Sequence, residues 1–187
     1  LIDATGNYWF ATESLKQGVL HFDASLNVIE IFSDIHGQGD ILAGNRVRVI
    51  NQLSDGRIWL STQQGLSIYD QKTGVFHNYR QNKFDPNSLS DNSVRDIFED
   101  RDGGHWLATY SGGINYFHPM FQKFSHFKEK ANTEKSLSHN LVSSFAQDSK
   151  GNMWIGTEGG LNYFNSSSNS YRHFFREQNG TGLLDDH

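Results

Sequence analysis

Asp148-Ser149-Lys150-Gly151-Asn152-Met153-Trp154-Ile155-Gly156-Thr157 is the phrase that decides the fold, because the chain writes it four times. Asp3 to Thr12 (DATGNYWFAT), Leu53 to Thr62 (LSDGRIWLST) and Asp100 to Thr109 (DRDGGHWLAT) are its other copies. Their tryptophans, Trp9, Trp59, Trp106 and Trp154, stand 50, 47 and 48 residues apart. A period of that size marks a stacked repeat architecture, in which whatever recurs in every unit is scaffold.

Within one period the sequence resolves into four short strand-like runs. In the second copy they are residues 47–53, 57–62, 66–70 and 75–80, separated by Ser54-Asp55-Gly56, Gln63-Gln64-Gly65 and Gln71-Lys72-Thr73-Gly74. β-Branched and aromatic residues fill the runs, turn-forming residues fill the gaps, and no stretch carries a helical stripe. The first runs hold apolar pairs three apart, Val47 and Ile50, Val94 and Ile97, Val142 and Phe145. A side-chain period of two sends such a pair to opposite faces, so both faces of each sheet are expected to be covered. Small four-stranded antiparallel sheets packed on both sides by copies of themselves are the blades of an all-β propeller.

Two details of the repeat carry physical expectations. The residue two after each Trp is small (Ala11, Ser61, Ala108, Gly156), as a collision with the ring or the adjoining blade would require. The next residue is always Thr, whose hydroxyl on the other face needs a partner. Gly18, Gly65, Gly113 and Gly160 open the third runs, where a positive φ or a close backbone approach demands glycine.

These residues resemble the two-component regulator propeller repeat: Asp148, Gly151, Trp154 to Thr157, Gly159-Gly160-Leu161 and Tyr163-Phe164 follow its pattern. Ser88-Leu89-Ser90-Asp91-Asn92 and Ser136-Leu137-Ser138-His139-Asn140 match its junction between blades. The first copy departs most, with Ser14-Leu15-Lys16-Gln17 lengthening one loop and residues 35–44 replacing the junction. The resemblance implies about four blades forming an arc of a larger, seven-bladed propeller in the extracytoplasmic, periplasmic sensor region of a bacterial membrane receptor. A cytoplasmic histidine kinase or diguanylate cyclase module would report the signal, and the ligand would be an oligosaccharide or another small molecule.

Asn45, Asn92 and Asn140 set blade limits at about 1–44, 45–91, 92–139 and 140–187. Asp3 aligns with Asp100, so the first blade is expected to lack most of its first strand. The uncovered blade faces call for the remaining blades of the parent propeller, closure into a small ring, or a second copy, since soluble monomers rarely expose large apolar patches.

The bulk properties exclude more than they assign. A net charge of -5 offers no basic face for nucleic acid, no cysteine is present, and no apolar run approaches the ~20 residues that span a bilayer. No nucleophile elbow, phosphate loop, paired carboxylates or short His pair appears, so no catalytic residue, metal site or cofactor is expected. Asp100 to Gly104 reads as a turn. His77, His126 and His173 read as solvated residues of outer strands, and His105 as half-buried packing.

Function is sought where the repeats differ, on the loops at one end of the blades. Those candidates are Glu13, Lys16, Tyr110 and Glu158 after the Trp strands, with His36, Arg46 and His139 in the junctions. Arg48 and Arg95 occupy one equivalent position on first strands, where Ser143 stands in the last blade, and would attract an anion such as an acidic sugar. The favoured reading is a non-catalytic sensory module. The alternatives are a propeller lyase or hydrolase and a protein-interaction module.

Overall fold

The computed structural model describes residues 1–13, 16–34, 41–118, 124–130, 133, 135–176 and 183. It divides into two compact units, residues 1–97 and 98–187. Among the described residues, fifteen strands form four antiparallel sheets, each in chain order. The first sheet holds β1 (Tyr8–Ala11), β2 (Val19–Phe22) and β3 (Val28–Phe32), and the second β4 (Val47–Gln52), β5 (Ile58–Thr62), β6 (Gly65–Asp70) and β7 (Val75–Tyr79). The third holds β8 (Val94–Glu99), β9 (His105–Thr109), β10 (Ile114–Phe117) and β11 (Phe124–Phe127). The fourth holds β12 (Val142–Gln147), β13 (Met153–Thr157), β14 (Gly160–Asn165) and β15 (Ser170–Phe174).

The strands of the second sheet lie within a residue of the runs read from the sequence. The first sheet has three strands, and the missing one is represented by Ile2, which bridges Tyr8, and by Leu1, whose carbonyl accepts the Trp9 N–H at 2.9 Å. Every residue of β5 and β9 is buried, so the Trp strands are covered on both faces.

The first strands achieve this differently from the sequence reading. The register of β4 on β5 slips between Val47, opposite Thr62, and Val49, opposite Ser61, leaving Arg48 as the extra residue of a β-bulge. Val47 and Ile50 therefore pair with Thr62 and Leu60, two apart on β5, and share one face. Both belong to the cluster of Trp9, Val19, Phe32, Ile58 and Leu60. The same slip on β12, around Ser143, puts Val142 and Phe145 together against Trp106, Ile114, Met153 and Ile155. Within each unit, the Trp face of one sheet packs on the opposite face of the next.

The small residue after the Trp also serves the bulge. Ser61 Oγ accepts the Val49 N–H at 3.0 Å, and a Cβ on Gly156 would meet Ser143 and Ser144 Oγ at 3.1 and 2.7 Å. At Gly156 the atoms nearest to an added Cβ thus belong to the bulged strand of the same sheet.

The Thr hydroxyls find one common partner. Thr12, Thr62, Thr109 and Thr157 donate to the carbonyls of Gly18, Gly65, Gly113 and Gly160 at 2.7–3.0 Å. Those glycines have φ between +60° and +143°, and a Cβ there would strike the carbonyl of Phe32, Tyr79, Phe127 or Phe174 on the outer strand. Both sequence expectations for this position hold together.

The junctions are pinned by their asparagines. The Oδ1 atoms of Asn45, Asn92 and Asn140 accept the N–H of Asp34, Gln81 and Glu129, just past the outer strands, at 2.6–2.8 Å. Leu89 and Leu137 are buried, and Leu42 takes the same place in the first junction. That junction, read as replaced, thus keeps its apolar anchor.

Two faces stay uncovered. Phe10 is 47% exposed where its equivalent Leu60 is 0%, and Ile31 and Val28 beside it are exposed as well. In the second unit Trp154 is half-buried while Trp106 is buried.

Gly65→Ala combines left-handed strain with the Tyr79 carbonyl and is expected to cost about 3 kcal/mol in urea unfolding. Gly56→Ala, at φ 84° with nothing within 4 Å, is expected to cost about 1 kcal/mol. Equal costs would mean that close approach contributes nothing.

Candidate functional site

In the first unit the structure gathers Glu13, Arg46, Arg48 and Arg95. Arg48 leaves β4 at the bulge and donates from a terminal guanidinium nitrogen to Ser93 Oγ at 3.0 Å, just ahead of β8. Asn51, three residues on, donates to the Ile97 carbonyl at 2.6 Å, so the two first strands run side by side. Burial pushes the Arg48 pKa down, the Arg95 and Arg46 charges push the same way, and Glu13 opposes them. Arg46 is exposed and reaches Gln63 Oε1 at 3.4 Å. Lys16 is exposed in the loop ahead of β2.

The second unit places Tyr110, His139 and Glu158. Glu158 N–H donates to the Leu141 carbonyl at 3.1 Å, and the Leu141 N–H donates to His139 Nδ1 at 3.1 Å. The loop after β13 and the junction before β12 therefore share one end of the sheet, as do Gln63 and Arg46 in the first unit through a 3.2 Å backbone bond. Tyr110 is exposed. His36 lies outside the described residues.

Several polar groups are committed to the fold. Asp3 Oδ2 accepts from Trp9 Nε1 and Asp100 Oδ2 from Trp106 Nε1, both at 2.8 Å. Asp100 Oδ1 takes the N–H groups of Asp102 and Gly104, which makes this segment a turn. His105 is buried with Glu99 at 3.6 Å, deeper than the half-buried packing expected of it. His173 Nε2 meets the Ser136 carbonyl at 2.8 Å and is half-buried, whereas His77 is exposed; the solvated reading therefore fails for His173. His21 is buried against the Trp9 ring at 3.9 Å between centroids, and its pKa falls, first through burial.

Sequence reasoning missed two features. Phe84 is 97% exposed at the tip of a turn that Asn82 and Ser88 hold by hydrogen bonds. An apolar residue between Lys83 and Asp85-Pro86 was the available signal. The second is a cleft of about 330 Å³ at the opposite end of the first unit, lined by Ala4, Gln52, Asp55, Arg57 and Gln71 among others. Gln52 Oε1 accepts the Ala4 N–H and its Nε2 donates to Gly56 O and to Gln71, which donates in turn to Asp3. Gln147 repeats this between Arg101 N and Gly151 O. Glutamine at both strand ends, with Glu99 between, was the pattern that marked it.

Antiparallel sheets of up to four strands, repeated at this period and with the two inner Trp strands buried throughout, define a β-propeller repeat protein. The model of the family described as two component regulator propeller matches residues 88–111 and 136–159. It is 29% identical to the extracellular domain described as that of hybrid two component system BT3049 from B. thetaiotaomicron, with a TM-score of 0.80 over 94% of this chain and 24% of that one. The corresponding domain of BT4673 from the same organism shares its fold at 22% identity, with a TM-score of 0.76 and the same coverage. A catalytically inactive virginiamycin B lyase from Staphylococcus aureus also shares the fold, at 16% identity and a TM-score of 0.67, over 97% of this chain and 56% of the lyase. The chain thus spans about a quarter of the two extracellular domains. No curated protein matches it. No helix among the described residues is long and apolar enough to cross a membrane.

The Asp3 carboxylate is raised by burial but held down to about 2 overall by hydrogen bonds from Thr5, Trp9 and the Asn7 N–H. A depressed folded pKa stabilises above the ordinary carboxylate value and loses that effect as pH falls toward 2. Asp3→Asn is therefore expected to unfold about 2 kcal/mol more easily near neutral pH, the difference closing between about pH 4 and pH 2. A difference independent of pH in urea titrations would remove Asp3 from the acid response.

Proposed function

We propose that this chain is part of the ligand-sensing, periplasmic region of a bacterial two-component-type membrane receptor, itself non-catalytic, whose ligand state is passed to a cytoplasmic signalling domain. The observation that carries this reading is the 29% identity, over 94% of the chain, to the extracellular domain of a hybrid two component system. The uncovered Phe10 face and the half-buried Trp154 fit a portion of a larger propeller, whose remaining blades, or a second copy, would cover them. Blade limits at 1–44, 45–91, 92–139 and 140–187 belong to the same reading.

The ligand, an oligosaccharide or another small molecule, is assigned to the loop end. There Glu13, Lys16, Arg46, Arg48 and Arg95 serve the first unit, and Tyr110, His139 and Glu158 the second; His36 completes the set by its sequence position. An exposed tyrosine beside charged and amide groups stacks on a sugar ring while its neighbours hydrogen-bond the hydroxyls. Signalling requires that the ligand bind two receptor states unequally.

A lyase reading draws support from the shared fold of virginiamycin B lyase alone. Against it stands the commitment of four of its acid–base groups: His105 and Glu99 are paired beside the Trp106 strand, and Asp3 and Asp100 hold their own turns.

A reporter strain expressing the parent receptor is expected to respond to one member of a panel of polysaccharide digests. Tyr110→Ala with Glu158→Ala is expected to raise the half-maximal concentration by roughly tenfold. Consumption of a digest or a macrolactone by the purified chain would sink the non-catalytic reading.

A further inference from the structure

The first sheet differs from the other three in one row of side chains. That row runs Leu60, Ser67, Asn78 across the second sheet, Leu107, Asn115, His126 across the third and Ile155, Asn162, His173 across the fourth. In the first sheet it reads Phe10, Leu20, Ile31. A second position changes with it, since Gln52 opposite Ile58 and Gln147 opposite Met153 give way to Ile2 opposite Tyr8. We propose that this face of the first sheet, centred on Phe10, is a docking surface for the same face of a second copy of the chain, related to it by a two-fold axis.

The first ground is what the polar residues do in the other sheets. Ser67 Oγ accepts the Ala43 N–H at 2.8 Å and Asn78 donates to the Ile41 carbonyl at 3.3 Å, both in the junction ahead of β4. Asn162 Oδ1 accepts the Ser138 N–H and His173 Nε2 meets the Ser136 carbonyl, each at 2.8 Å, in the junction ahead of β12. Gln52 and Gln147 accept the N–H groups of Ala4 and Arg101, from the turn of the sheet before, at 2.6 and 3.3 Å. A sheet of this repeat, with its turn and junction, thus brings two N–H groups and one carbonyl to the sheet it packs on. Ile2, Leu20 and Ile31 can pair with none of them, and a buried backbone group left unpaired carries its full desolvation cost. The Phe10 face is therefore made for a cover that brings apolar side chains alone.

That requirement also separates two ways of using a second copy. The half-buried Trp154 face belongs to a sheet of this repeat, and head-to-tail contact would carry the Ser149 N–H, equivalent to those of Ala4 and Arg101, onto Ile2. The Phe10 face itself brings no such group.

The second ground is size and charge. Ile2 (62% exposed), Val28 (58%) and Ile31 (53%) surround Phe10, with half-buried Leu20 and with Phe22 edge-on to the Phe10 ring at 5.5 Å. Monomers rarely expose apolar patches beyond a few hundred Å², and two such faces together reach about the 1,000 Å² that a specific interface needs. None of these six side chains is charged, and Glu30, opposite His21, lies with Trp9 on the other face. A two-fold axis lets one apolar patch serve as both halves of the contact without setting a charge against its own copy.

The test is sedimentation equilibrium of the full chain. A monomer–dimer equilibrium of the 21.3 kDa chain is expected, with a dissociation constant in the micromolar range and no larger species. Phe10→Lys with Ile31→Lys sets like charges against each other and is expected to raise that constant about a hundredfold. Its far-UV circular dichroism is expected to match the parent, because both side chains are exposed in the single chain. An Ile31→Lys chain mixed with an Ile31→Glu chain is expected to form the dimer that each forms poorly alone. Arg172→Glu, over the Phe174 ring on the Trp154 face, is expected to leave the equilibrium unchanged.

The interface is overturned by a monomer at every concentration, by open-ended growth past the dimer, by a double lysine variant that still pairs, or by loss of pairing in Arg172→Glu. If the double variant loses its circular dichroism, the mixed Ile31 chains decide, and their failure to pair overturns the interface. A chain that stays monomeric while the parent receptor still answers a digest would remove the interface and leave the sensor reading standing.

Discussion

The β-bulge at the head of the first strand is the constraint from which much of the repeat follows. One extra backbone residue, Arg48 on β4 or Ser143 on β12, changes which side chains share a face. It brings Val47 beside Ile50 and Val142 beside Phe145, and so supplies the apolar face on which the preceding Trp packs. It also requires a small residue opposite, which Ser61 meets with a hydroxyl that binds the bulged backbone and Gly156 meets by having no side chain. What reads along the sequence as a Trp motif is therefore coupled to an irregularity on the neighbouring strand.

The Trp turn itself tolerates variation as long as its donors are met. Asp3 and Asp100 accept the indole N–H of Trp9 and Trp106. Asp148 is instead occupied by Asn152 and the Tyr163 hydroxyl, at 3.0 and 3.1 Å. In the second sheet Leu53 stands in the carboxylate's place, is buried, and receives the turn through backbone bonds to Arg57 and Gly56. The four copies keep the turn's backbone path and differ in which side chain fills its centre.

Much of this was legible in the sequence because the information is local. Strand limits, the Thr hydroxyl and the glycine opening β2, β6, β10 and β14 all depend on neighbours a few residues away, and repetition exposes them. The bulge was not legible, since an apolar pair three apart describes equally two faces of a regular strand or one face of a bulged one. Leu42 was hidden by unfamiliar flanking residues although its distance from Asn45 matches that of Leu89 from Asn92. For the site, the equivalence of Arg48 and Arg95 was visible. Their setting was not, because Ser93 meets Arg48 across 45 residues and no spacing rule encodes that contact.

The bulge also separates what must be kept from what is open to change. Its extra residue is outside the ladder and outside the apolar clusters, so its side chain alters neither the register nor the core. On β4 and β12 that position is Arg48 and Ser143, and the sequence repeat aligns Arg95 of β8 with them. Selection acting there changes charge, size and hydrogen bonding one blade at a time while the packing of every blade is conserved, which makes the position an inexpensive route by which one scaffold diverges in chemical preference.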